Sequence, residues 1–172
     1  MNFARLTVSA VAFLSVAVGA ANAQSIDWRS DANRTFWNAI TRAELQELAA
    51  EAGAGFTEMG GAGGDLYARL EWPGLNPVTV RLSDCMPFGS RTAACTAMRL
   101  YIPDLTPPAN YQVFNQVSSD WVTTLVTGEG AGVYRTEFLN FGTTRGHVLG
   151  TLVQFRREAT AELALLRQHA AD

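Results

Sequence analysis

Between Gly55 and Ile102 the chain is cut into short segments of alternating character, separated by stretches that contain glycine or proline, and this pattern restricts the fold most. Gly55 to Met59 leads into the run Gly60-Gly61-Ala62-Gly63-Gly64. Leu66 to Trp72 follows, and Pro73-Gly74 breaks it. Val78, Val80 and Leu82 share one side of a third segment, and Ala97 to Ile102 forms a fourth. A period of two belongs to a strand with one buried face. Strands this short, punctuated by Gly and Pro, predict an antiparallel meander.

Helical signals stand on either side. Thr41 and Glu44 have capping-box spacing, and Ile40 with Leu45 are placed for a hydrophobic staple. Leu45, Leu48, Ala49 and Ala52 then line one face at 3.6-residue spacing, and Gly53 and Gly55 end the helix. Thr106-Pro107 opens a second helix, with the proline suited to the first helical position and Tyr111, Phe114, Val117 and Trp121 on one face. Val122 to Thr127 and Val133 to Phe138 flank Gly128-Glu129-Gly130 as a hairpin. Thr143 or Thr144 caps a last helix reaching about His169, with Val148, Leu152, Phe155, Ala159, Leu163 and Leu166 as its apolar stripe. About 26 residues at ~1.5 Å each give nearly 40 Å, longer than such a domain needs. The surplus is free to protrude, to fray or to pack against a second copy.

The plan is therefore α+β: an antiparallel sheet with helices packed on one face, in the order α-β-β-β-β-α-β-β-α. Residues 41–170 form a single domain. Residues 24–40 form a lead-in whose aromatics Trp28, Phe36 and Trp37 pack onto it, with a short strand just before Thr41.

The first 23 residues read as a secretory signal peptide. Arg5 is the only charge before an apolar run from Leu6 to Ala20, and Ala21-Asn22-Ala23 supplies the small-x-small cleavage site before Gln24. The run is too short for a membrane-spanning helix, which needs roughly 20 apolar residues. Cleavage between Ala23 and Gln24 predicts an exported chain with no stable membrane anchor, in the periplasm or outside the cell. Without Arg5, 12 basic residues face 16 acidic ones, a net charge near −4, and every basic residue is arginine. This balance argues against a general nucleic-acid binder and against a polybasic lipid contact.

Cys85 and Cys95 are the only cysteines. In an oxidising compartment a nine-residue gap favours a structural disulfide between the third and fourth strands. A redox pair would prefer Cys-x-x-Cys at a helix start, and two cysteines cannot alone fill a zinc site.

Other chemistry finds little support. The glycine run precedes Asp65 and a strand, whereas a phosphate loop needs a following helix and a Lys-Ser/Thr pair. His147 and His169 are 22 positions apart on one helix, about 33 Å along its axis, so they cannot share a metal, and each reads as a surface residue. No Gly-x-Ser-x-Gly elbow occurs, and Ser83-Asp84 on a strand point to opposite faces. The acid pairs Glu44 with Glu47 and Glu58 with Asp65 read as helix-start and loop solvation. Neither a cofactor nor a metal is expected.

The element order and several local signals resemble the YbjN-domain family, described as bacterial sensory-transduction regulators. The likeness runs from about Ile40 to Leu166. It rests on Ile40-Thr41-x-x-Glu44-Leu45, on the Asp84-Cys85 to Cys95 hairpin, on Phe114-Asn115 where the family usually has Trp-Asn, and on Phe141-Gly142-Thr143 before the last helix. The resemblance implies a fold like that of type III secretion chaperones, small α+β proteins that dimerise and hold partner peptides. It carries no catalytic residue.

Two functions follow as expectations. The first is an exported, non-catalytic binding or interaction protein that self-associates through its helical layer and holds a protein or peptide partner. Phe114, Trp121, Leu152 and Phe155 are the candidates for its apolar surface, against the plainer reading of each as ordinary core. The second is a periplasmic carboxylate-based hydrolase, for which two or three ionisable groups should converge in one cleft.

Overall fold

Alternation along the strands and 3.6-residue spacing along the helices produce a main sheet and a helical layer around a common core. The computed structural model describes residues 26–87, 92–105, 123–127 and 130–170. The expected helix after Thr106, with Phe114 and Trp121, lies outside these residues, as does the segment around Ala23 and Gln24. Among the described residues the fold is α+β, with a curled antiparallel sheet and three helices.

In chain order the elements are α1 (Asp31–Arg34), β1 (Phe36–Trp37), β2 (Ile40–Thr41), α2 (Arg42–Glu51), β3 (Gly55–Ala62), β4 (Asp65–Glu71), β5 (Val78–Met86), β6 (Ala94–Leu105), β7 (Thr123–Thr127), β8 (Gly130–Phe138), β9 (Thr143–Thr144) and α3 (Arg145–Ala170). The main sheet runs β3-β4-β5-β6-β8-β7, with β2 pairing β6, and β1 and β9 make a separate small ribbon.

The first long helix follows its signals closely. Glu44 N–H donates to Thr41 Oγ1 at 3.3 Å, and Thr41 N–H donates back to Glu44 Oε2 at 2.7 Å, which completes the capping box. At the other end Gly53 adopts φ 72°, its N–H donates to Ala50 O, and Ala54 N–H donates to Ala49 O. That is a Schellman ending, and it needs the left-handed residue that glycine supplies without a Cβ penalty. The Trp72 indole N–H donates to Ala52 O at 3.0 Å, tying the end of β4 to this cap. For α3, His147 N–H donates to Thr144 Oγ1, so Thr144 is its cap.

The strands are longer than their apolar patterns predict. β3 continues through Gly60 and Gly61 to Ala62, with a register shift between Glu58 and Gly60, so the turn is only Gly63-Gly64. Both turn glycines have positive φ, as a primed two-residue hairpin turn requires. β5 and β6 run on to the cysteines, which face each other as a Cys85↔Cys95 pair in the ladder and are disulfide-bonded. Asp84 takes φ 56°, and around it Leu82 and Cys85 are both buried, so strict alternation breaks there.

The core joins Leu45 and Leu48 of α2, Val148, Leu152, Phe155, Ala159 and Leu163 of α3, and the inward residues of the sheet, among them Leu70, Val80, Leu100, Ile102 and Val133. Leu152 and Phe155 are 0% and 1% exposed. They are therefore interior to the protomer and not part of an accessible apolar surface; with Val148, Ala159 and Leu163 they join the common core. Among the described residues no helix is long and apolar enough to cross a membrane.

The lead-in docks on α3. Trp28 lies over Gly146 and Gly150, where a Cβ at Gly150 would come within 2.7 Å of the indole. Arg145 secures the same region: its guanidinium donates to Asn33 Oδ1 at 2.7 Å and Glu51 Oε2 at 2.6 Å, and its N–H to Thr35 O. The four-residue α1 was not expected; one turn is too short to display a helical period.

A candidate binding face on the outer side of the sheet

If the even-numbered residues of β4, β5 and β6 face the core, the odd-numbered ones must face away from the helices. Register then sets them side by side. Tyr67 pairs with Arg81, Arg81 with Arg99, and Arg99 with Thr136 across four strands. On the neighbouring rungs Arg69 pairs with Thr79, Thr79 with Tyr101, and Tyr101 with Tyr134. The curl of the sheet draws these side chains around a concavity of about 410 Å³ lined by Tyr67, Thr79, Arg81, Arg99, Tyr101 and Tyr134.

Its floor depends on one glycine. A Cβ at Gly132 would lie 2.8 Å from the Tyr101 ring and 2.8 Å from Ile102 O. The missing side chain lets the phenol ring lie against the backbone of β8.

Its charge is uneven. Like charges directly opposite on adjacent strands are unfavourable, so the Arg81↔Arg99 pair costs stability unless each finds a partner. Arg81 has one: its Nε and Nη2 reach Asp65 Oδ2 at 2.7 and 2.6 Å, and this carboxylate bond and charge raise the guanidinium pKa above its ordinary value. Among the described residues Arg99 meets only neutral groups. Its Nε donates to Thr136 Oγ1 at 3.1 Å, and its guanidinium carbon stands 5.8 Å from the Tyr134 ring centre, in cation–π range.

The acidic residues named by the sequence occupy other roles. Glu44 belongs to the helix cap, as expected. Glu58 and Asp65 are on strands instead of solvating a loop; Glu58 is ion-paired with Arg42, and Asp65 with Arg81. His147 is exposed on α3, with Nε2 3.6 Å from Glu137 Oε2. Glu137 also accepts from Arg135 Nε at 2.8 Å, and Thr151 Oγ1 lies 3.4 Å away, on the helix side of the sheet. Among the described residues no group of three His, Cys, Asp or Glu side chains is placed to hold a metal ion.

Sequence reasoning passed over Arg81, Arg99 and the three tyrosines because outward polar residues on alternating strands look like an ordinary solvated face. The signal that could have found them was the recurrence of arginine and tyrosine at outward positions in an otherwise acidic chain. Fold and site together define an α+β protein with a ligand-sized, basic and aromatic hollow on the open face of its sheet. No protein-family model, curated protein or solved structure matches the chain.

Proposed function

We propose that this chain is an exported, non-catalytic binding protein whose ligand surface is the outer face of the sheet. The observation that carries the reading is the hollow itself, where two guanidiniums and three phenols converge on side chains held rigid by four paired strands. Among the described residues the hollow's lining contains no carboxylate, and neighbouring Asp65 is engaged by Arg81. That favours binding over the carboxylate-pair hydrolysis considered above. The disulfide is compatible with export, and the reading takes residues 1–23 as a signal peptide and the periplasm as the destination.

The proposal extends to a YbjN-like, type III secretion chaperone-like fold and to homodimer formation. Four meander strands, a later hairpin and a terminal helix support the fold part. With Leu152 and Phe155 used internally, a dimer would have to form through other residues.

The test is amide chemical-shift mapping of the oxidised protein comprising residues 24–172, titrated with fractionated glycan and metabolite pools from the cell envelope. Saturable shifts are expected on β4, β5, β6 and β8, and Thr79→Trp, which fills the hollow, should remove them. Shifts gathered on the helical layer, or consumption of the added compound, would overturn the reading.

A further inference from the structure

We propose that the ligand of this face is a carboxylate-bearing saccharide, its carboxylate bound by Arg99 and its ring packed on the tyrosines. The inference rests on the reading just given and narrows it to a chemical class. Three observations lead there.

The first is charge. Of the two facing arginines only Arg81 has an ionised partner among the described residues, so Arg99 presents to them an uncompensated guanidinium whose neutral contacts orient it without neutralising it. A planar fork of this kind matches a carboxylate in two parallel hydrogen bonds. An anion there would also relieve the repulsion between the paired arginines, so the face gains more from an anionic ligand than from a neutral one.

The second is the aromatic content. Tyr67, Tyr101 and Tyr134 offer flat apolar rings with hydroxyl tips, and Thr79 adds another hydroxyl. Amphipathic rings suit a ligand with an apolar C–H face and a hydroxylated rim, which a pyranose has. A volume of about 410 Å³ lies within the range of small-ligand sites, which runs from roughly 300 to 1,000 Å³.

The third is position. Arg81 and Arg99 lie on β5 and β6, each hydrogen-bonded to strands on both sides. Their backbone groups are already used, so an acidic peptide cannot bind here by adding a strand, which requires an exposed sheet edge. Recognition has to go through side chains alone.

The experiment uses the oxidised 24–172 protein with glucuronate, glucose and inorganic phosphate as separate probes. The readouts are the arginine Nε–Hε and tyrosine ring signals. Glucuronate should shift Arg99 Nε–Hε together with Tyr101 and Tyr134, saturably and more weakly as salt is added. Glucose should bind at least tenfold more weakly, as should glucuronate to Arg99→Gln with its amide spectrum otherwise preserved. Equal binding of glucose, phosphate binding as tight as glucuronate, indifference to Arg99→Gln, or no response to glucuronate would each overturn the assignment. Those outcomes leave the sheet face open to another ligand, whereas mapping of envelope ligands to the helices would remove the face itself.

Discussion

At the scale of single residues, the tightest constraints fall on positions without a side chain. Gly146 faces the Asn33 backbone, where a Cβ would come within 2.9 Å of the carbonyl oxygen and 3.0 Å of Asn33 Cβ. A glycine-to-alanine change inside an exposed helix ordinarily gains about 0.5–1 kcal/mol. Here backbone is in the way, so Gly146→Ala should instead cost about 1–2 kcal/mol as an overpacking defect. Denaturant titration checks the sign, and a change in Trp28 fluorescence would report the lead-in lifting from α3. Asp84 provides the converse case. Aspartate tolerates φ 56°, but a β-branched residue does not, so Asp84→Val should destabilise by about 1–2 kcal/mol although the position is exposed. Unfolding midpoints of Asp84→Val and Asp84→Asn would separate strain from lost charge.

At the scale of elements, legibility followed the strength of local chemistry. Thr41, Glu44 and Gly53 each make a backbone bond that their residue types advertise, and α2 was readable almost to the residue. Thr41→Ala should cost about 1 kcal/mol in the same titration, the usual value of an N-cap. Strand ends were less readable. Gly60 and Gly61 pair through backbone atoms that leave no side-chain signature, and Ser83 continues a ladder past the last apolar residue of its run. The binding face was hidden for a related reason: each strand shows its own alternation, but only the register between strands tells which outward residues become neighbours. Replacing both cysteines with serine removes a constraint on this hairpin. The expected loss is about 2–3 kcal/mol, read as a shift in denaturation midpoint with the slope unchanged.

At the scale of the whole molecule, the described part of the sheet has an apolar side packed against the helices and an outer side on which Arg81, Arg99 and Tyr101 are exposed. The division has a direct test. Phe155→Ala should cost about 3–5 kcal/mol because a buried ring is deleted, while light scattering of the remaining folded fraction should give the parent mass. A changed mass with little loss of stability would mean that the ring serves an interface.

The bond between Cys85 and Cys95 has one more consequence. Side chains alternate along a strand, so sliding β5 past β6 by a single residue would turn Arg81 or Arg99 toward the interior, where an unpaired charge is prohibitive. By joining residues already opposite one another, the two sulfurs index the hairpin: they fix which rung meets which, and so hold both guanidiniums on the wet side. Reduction should therefore speed amide exchange at Val80 and Leu82 before the helices loosen, making the proposed recognition surface the first part of the protein to sense a change of redox surroundings.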